Sequence, residues 1–497
     1  LNRMAYEQEA ALKKLQDRQL ANGGWSWFSG GRDNWYISQY IAEGLGHLLK
    51  LGVTDLRQNP ATWQMVQQAV RYCDDRMVEQ YERLGENVKE GHTKWEDDHL
   101  EYMAAHYLYM RSFFLEDQPA QASTGGGTGD RGLKYLPLHG KIKTVHKYYL
   151  DQAGKYWLGK GIFSEGLLAL ALHRTGETSP AAAIVKSLKE RALHNDELGM
   201  YWKQPAGWWW YQAPIETQAL MIEVFSDVAD DAKAVDDLKV WLLKNKQTNH
   251  WKTTKATAEA VYALLSNGEN WLLDSAPLSI TLGQPGDAEA KGWQAAIRRS
   301  QKSAEAGTGY FKTSFSGDEV SSGMAEVTVK NPNDVVAWGA MYWQYFEQLD
   351  NIKTFEETPL TLKKQIFRVE NTPTGEALRP VAEGGHLKVG EKLKVRIELR
   401  VDRDMEYVHM KDMRASGFEP VNVLSSYKWQ GSLGYYESTR DAATNFFFTW
   451  LPKGTYVFEY PLRVLHNGDF SNGVTTIQCM YAPEFTSHSE GIRVKVE

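Results

Sequence analysis

Cysteine is almost missing from these 497 residues, with Cys73 and Cys479 the only two. A pair so sparse and so distant in sequence excludes a disulfide framework and a cysteine-based zinc or iron–sulfur site. Basic charge is not in excess either. Fifty-six Lys and Arg stand against 63 Asp and Glu, a net charge of −7, so there is no global field to gather phosphates and nucleic acid is not an expected partner. With 42% hydrophobic and 24% charged residues, the composition argues against a disordered, collagenous or membrane-spanning chain, and no transmembrane segment is expected. The start, Leu1-Asn-Arg-Met-Ala5, lacks the basic stretch and apolar run of a signal peptide and already reads as helix. The sequence is therefore expected to be a fragment whose natural N-terminus lies upstream.

Aromatic residues, in contrast, are abundant: 18 Trp, 25 Tyr and 17 Phe. They must be housed in large cores or on a contact surface, and the length suggests about three domains. The first 275 residues repeat a unit of helix, Gly/aromatic turn, helix. Three copies are legible. Their first helices carry the stripes Leu12/Leu15/Gln19, Val185/Leu188/Ala192 and Val235/Leu238/Leu242. The turns are Gly23-Gly-Trp-Ser-Trp-Phe28, Gly199-Met-Tyr-Trp202 running on to Gly207-Trp-Trp-Trp-Tyr211, and Asn249-His-Trp251. The second helices carry Ile37/Ile41/Gly44, Ile215/Ala219/Ile222 and Ala256/Ala260/Ala263. A repeat of this kind means stacked or circularly closed helical hairpins, and the expectation is an α/α toroid. Small residues (Gly44, Ala219, Ala256, Ala260) would let inner helices approach, while the aromatic turns would plug one end. A further helix is expected over Trp95–Phe114, and Ser123–Gly132 reads as a flexible insert.

After residue 275 the period changes from helical to two. Pro277–Leu282 and Ala325–Lys330 are short alternating runs, Trp338–Phe346 alternates large side chains, and 276–358 is read as a small β domain. From 359 to 497, Leu393/Val395/Ile397/Leu399/Val401 and Tyr456/Phe458/Tyr460/Leu462/Val464 form one-sided strands. Asn467-Gly468 and Asn472-Gly473 mark turns, so an antiparallel β-sandwich is expected. The fold class is thus multi-domain, α and β: a toroid at 1–275, a small β domain at 276–358 and a sandwich at 359–497.

Motifs for chemistry mostly fail. Gly127-Thr-Gly129-Asp-Arg-Gly132 has the glycines of a dinucleotide loop, but a polar loop rather than a strand precedes it. There is no His-Glu-x-x-His and no Gly-x-Ser-x-Gly elbow. No catalytic residue, cofactor or metal ligand is assigned, and an enzyme is not expected. His99 and His106, seven apart, would share a helix face near Glu101, Tyr102 and Tyr107. An acid–base or metal pair is conceivable there, against the simpler reading of structural histidines.

Resemblance adds what spacing cannot. Gln19-Leu-Ala-Asn-Gly23-Gly-Trp25 fits a QxxxGxW pattern of α/α-ring proteins. The order of ring, small β domain and sandwich, with Tyr435–Phe448, Lys453–Tyr460, Asn467–Gly473 and Gln478-Cys-Met-Tyr-Ala-Pro-Glu-Phe485, resembles the C-terminal part of bacterial α2-macroglobulins. The resemblance implies a protease trap: cleavage of a bait region elsewhere in the protein exposes an internal thioester. Target proteases and the upstream domains of the same chain would be its partners, and its place the periplasm or envelope. No Cys-x-Glu-Gln occurs here, since Cys73 is followed by Asp-Asp-Arg and Cys479 by Met-Tyr-Ala; any such motif is expected upstream. The resemblance points to Met480, with Tyr481 beside it, as an apolar cover over the thioester, against a plain packing role. It makes His99 the nearest candidate in chain order for an acyl-transfer histidine, without a motif match. Two rivals stand beside this reading. One is a polysaccharide lyase-like toroid enzyme with His99, His106 and Tyr102 in an open aromatic cleft beside an Arg; the other is a non-catalytic envelope scaffold or adhesion module.

Overall fold

The computed structural model describes residues 2–52, 56–115, 136–203, 213–266, 277–284, 288–304, 309–332, 337, 339–355, 357–382 and 384–497. The glycine motif at 127–132, the aromatic run at 207–211, Trp338 and the expected boundary at 275 lie outside the described residues. Two compact units emerge, one made of Leu1–Leu242 with Lys252–Val335, the other of Leu243–Trp251 with Val336–Glu497.

Ten helices come first in chain order among the described residues, all in the first unit except the last turns of the ninth: α1 (Asn2–Arg18), α2 (Trp35–Leu51), α3 (Pro60–Lys89), α4 (Tyr102–Ser112), α5 (Lys141–Tyr156), α6 (Ile162–Arg174), α7 (Thr178–Glu190), α8 (Pro214–Asp227), α9 (Ala232–Thr248) and α10 (Thr254–Ser266). A short hairpin of β1 (Leu193–Asn195) and β2 (Gly199–Tyr201) precedes α8. Helices α2, α4, α6, α8 and α10 neighbour one another in chain order and α10 returns to α2, so the inner helices close on themselves. Helices α3, α5 and α7 pack outside them. This is the toroid expected from the repeat, with two more hairpins than the sequence disclosed. The hairpins ending in α4 and α6 were hidden for a physical reason. Helix α6 is buried at every position from Glu165 to Leu172, and a helix apolar all round has no stripe to detect.

The repeat's turns have one geometry. Gly23 has φ +88° and a Cβ there would strike the carbonyl oxygen of Gln68 on the next outer helix; Gly199 has φ +72° and meets the carbonyl of Asp237 in the same way. Trp25 and Trp202 are buried, each donating its indole N–H back to the preceding outer helix, to Leu15 O and Leu188 O at 2.9 Å. Gln19 secures the first turn by donating to Gly23 O and Met65 O, both at 2.9 Å. The QxxxGxW run is therefore a helix-to-helix clamp. Not all turn aromatics are core, because Trp27 and Phe28 are 52% and 76% exposed. Gly23→Ala is expected to cost about 2 kcal/mol or more through the left-handed backbone and the clash. Gly44→Ala, where a Cβ meets nothing within 4 Å, should be neutral or stabilising by up to about 1 kcal/mol. Thermal unfolding of the two variants checks the contrast.

Two local expectations need correction. The buried face of α2 is Ser38, Gln39, Ala42, Glu43, Leu45, Gly46 and His47 rather than Ile37, Ile41 and Gly44. Gly46 makes the close approach, its hydrogen facing Phe113 where a Cβ would lie at 2.8 Å. The helix expected from Trp95 starts only at Tyr102. Asp97 accepts from Lys94 N at 2.8 Å and Asp98 from Leu100 N at 3.0 Å, local bonds that hold the backbone out of a helix.

The first unit ends in β3 (Ser279–Leu282) and β4 (Val327–Lys330), an antiparallel pair at the two runs anticipated, with α11 (Ala288–Lys302) between them in sequence. Trp293 and Ile297 of α11 pack with Leu282 and Met324. No strand forms over the described residues 339–346, where Tyr345 and Phe346 are exposed; alternation of large side chains alone did not secure a partner strand.

The second unit contains β5 (Leu360–Thr372), β6 (Gly375–Pro380), β7 (His386–Leu387), β8 (Lys392–Val401), β9 (Met405–Met413), β10 (Phe418–Pro420), β11 (Ser426–Gln430), β12 (Leu433–Thr439), β13 (Ala443–Leu451), β14 (Gly454–Val464), β15 (Gly468–Ser471), β16 (Thr475–Cys479), β17 (Ala482–His488) and β18 (Arg493–Val496). The sheet β10-β14-β8-β5-β6 and the sheet β11-β12-β13-β9-β16-β17 bury one shared core, and β15-β18-β7 forms a third, small sheet. The alternating residues of β8 and β14 read from the sequence lie in this core, with Tyr456 packed at its margin.

Candidate functional site

The residues singled out at the end of the chain sit on a projecting turn. Strands β16 and β17 are joined through a bulge at Gln478/Cys479. Cys479 is buried, its thiol pushed upward by burial, while Met480 and Tyr481 turn outward at 57% and 77% exposure. Neither is core of the sandwich. Met480 N donates to Tyr407 O at 2.9 Å, and the Tyr481 ring meets the Tyr407 ring edge-on at 5.3 Å. Tyr407 itself has φ +54°, a costly backbone for a bulky residue. The strained residue thus supports the turn twice, through its carbonyl and its ring.

His99 and His106 do not converge. His99 lies before α4, its Nδ1 2.7 Å from Tyr148 Oη and its Nε2 2.9 Å from Thr93 Oγ1. It borders a cleft of about 690 Å³ lined also by Asp33, Tyr72, Arg76, Arg83 and Glu101. Both ring nitrogens are engaged, and the Tyr72 hydroxyl donates to Asp33 at 2.6 Å, so the cleft holds its His and Tyr in structural bonds rather than ready for proton transfer. Tyr102, the third residue of the lyase rival, is on α4 with its ring 5.7 Å from that of His106.

His106 points instead into a polar centre inside the ring that sequence reasoning missed. Its Nε2 lies 2.5 Å from Glu43 Oε2, and His47 Nε2 lies 3.8 Å from Glu43 Oε1. Burial opposes ionisation of Glu43, but the neighbouring His106 and His47 hold its carboxyl below the usual range. His47 stacks on Tyr262 at 3.6 Å and reaches Tyr109 Oη at 3.1 Å; burial pushes its imidazole downward, toward the neutral form. Beyond it, Glu223 takes Lys50 at 2.7 Å, Arg174 at 2.5 Å and the hydroxyls of Tyr262 and Tyr109 at 2.8 and 2.5 Å. A signal was available: Glu216 and Glu223 are the two charges in the fully buried run Ile215–Phe225 of α8.

Comparison with known proteins gives a family match within the sandwich. Residues 360–484 match the family model described as the bacterial alpha-2-macroglobulin MG10 domain, a span that includes Met480 and Tyr481. Over 115 residues the chain is 26% identical to circularly permutated Ras protein 2 of Dictyostelium discoideum, covering 23% of this chain and 3% of that protein. Among solved structures it is similar to Salmonella alpha-2-macroglobulin reacted with methylamine, at 13% identity and TM-score 0.33, over 97% of this chain and 27% of that one. It is also similar to trypsin-activated alpha-2-macroglobulin of Escherichia coli, at 11% identity and TM-score 0.37, over 97% of this chain and 29% of that one. The chain spans less than a third of either solved protein. Residues 360–484 therefore match a bacterial alpha-2-macroglobulin MG10 domain.

Proposed function

We propose that this chain is the C-terminal part of a bacterial alpha-2-macroglobulin-type inhibitor that traps a protease after the protease cuts a bait segment elsewhere in the protein. The MG10 match over 360–484 carries this reading. In it, 1–275 is the thioester-type ring, 276–358 a small β domain and 359–497 the terminal macroglobulin domain; the whole works outside the cytoplasm with proteases as partners. The part played by this chain is binding and shielding, not catalysis. The test uses the full-length protein and trypsin. Trapped trypsin should keep its activity on a small chromogenic peptide and lose it on a large protein substrate, because a cage excludes by size. Trypsin that associates but degrades both, or does not associate, refutes the trap.

Met480 and Tyr481 take the shielding role in this reading. A thioester survives only where water is excluded, and a flexible thioether beside an aromatic ring makes an adaptable apolar cover. Their exposure on a turn braced by Tyr407 supports a role in covering another surface. In a full-length parent carrying Cys-x-Glu-Gln, Met480→Ala should speed methylamine uptake about tenfold, equivalent to about 1.4 kcal/mol of lost protection. An unchanged rate returns both residues to simple packing.

A further inference from the structure

The polar centre of the ring holds a constellation that the trap reading does not use. Glu43 and His47 stand four residues apart on α2 and so share one face, and Glu259 comes to them from α10, the helix that closes the ring. One carboxylate oxygen of each glutamate and one ring nitrogen of His47 all lie within 4.8 Å of one another. Two carboxylates and an imidazole are a ligand set for a divalent transition ion. Metal–ligand bonds of about 2.1 Å set donor atoms about 3.4 Å apart, so the three must draw in by about 1 Å, within the reach of the long Glu259 side chain.

The surroundings are those of a supported ligand set. Glu43 offers Oε1 toward His47, while its Oε2 is held from behind by His106 Nε2 at 2.5 Å. An outer histidine bracing a ligating carboxylate is how metal sites fix their first ligands. Lys255, the nearby ammonium, donates to Tyr36 Oη at 3.1 Å and lies over the Tyr40 and Phe163 rings. Among the described residues it forms no ion pair with either glutamate. Two carboxylates brought this close repel each other, and a cation between them relieves the repulsion.

We propose that Glu43, His47 and Glu259 bind one zinc-class divalent ion inside the ring, bridging α2 to α10. Binding cross-braces the ring where its first and last inner helices meet. The test starts with the chain freed of metal by a chelator. Co²⁺ titration should give visible ligand-field bands that saturate at one ion per chain, Zn²⁺ should displace them, and Zn²⁺ should raise the melting temperature. Glu259→Gln and His47→Gln should each weaken Zn²⁺ binding by about 10- to 100-fold, while His92→Ala, which removes an exposed histidine paired with Glu90, should leave it unchanged. Absence of Co²⁺ bands and of one retained Zn²⁺ in the wild-type chain overturns the proposal whether or not the variants fold. Equal binding by folded Glu259→Gln and His47→Gln overturns it as well.

Discussion

Replacing Glu223 with alanine is expected to cost the helical ring about 3–5 kcal/mol, because it strips the largely buried Arg174 of its buried counter-charge and strands two buried tyrosine hydroxyls. Glu223 is 1% exposed at its side chain and takes two cations and two tyrosine hydroxyls. Asp227 also meets Lys50 at 2.6 Å and Arg174 at 3.0 Å, but it is the more exposed partner and cannot replace a buried carboxylate. Thermal unfolding, with amide exchange on α8, measures the loss; a cost below about 1 kcal/mol would show the network to be energetically idle. The pH dependence has a definite sign. Burial works against the charge on Glu223, yet Lys50 and Arg174 outweigh it and hold the carboxyl well below its usual range. Its contribution is therefore complete above the unfolded value of about 4.3 and disappears only as pH falls toward the lower folded value. Wild-type and Glu223→Ala stabilities should converge in acid and separate toward neutrality.

The sandwich contains a second expensive pair. Lys364 on β5 and Asp412 on β9 are both 0% exposed at their side chains, 2.7 Å apart. Asp412 also accepts from Thr475 Oγ1 at 2.7 Å and from the Tyr460 hydroxyl, while Lys364 donates to Met413 O at 2.7 Å. Asp412→Ala should cost about 3–5 kcal/mol, since an uncompensated ammonium stays in the core. Burial already pushes the Lys364 ammonium downward against the pull of Asp412, so the orphaned lysine would give up its proton more readily, and the variant should lose more stability at low pH than at high pH. The double change Lys364→Met with Asp412→Leu should recover most of the loss, because removing both charges removes the desolvation cost with the attraction. A double-mutant cycle read by denaturant unfolding decides this. Additive losses would mean that the two side chains do not act as a pair.

Elements were legible where one physical cause acted alone. Strand β8 could be read residue by residue because one of its faces meets the core and the other does not, and alternation records that asymmetry. The clamp at Gln19, Gly23 and Trp25 was visible as a motif, although its purpose, seating a glycine against Gln68 and an indole on Leu15, was not. Helix α6 left no trace because it is enclosed on all sides, and α4 was misplaced by the side-chain bonds of Asp97 and Asp98. Lys364 stands as a charge in the inward series Leu360, Leu362, Ile366, and Glu223 as a charge within α8. Each was an anomaly that the sequence displayed without giving its partner.

The sequence by itself determined the class of the two halves, the closing repeat of the first and the sandwich of the second. These depend on periodicity and local turn chemistry, which are properties of short stretches of chain. Only the tertiary structure decided which charges meet. Glu43 and Glu259 are separated by 216 positions, and nothing in their neighbours along the chain foretells that ring closure brings α10 to α2. Ring closure then turns that encounter into chemistry, because donor atoms from two distant stretches of chain come within 4.8 Å of one another.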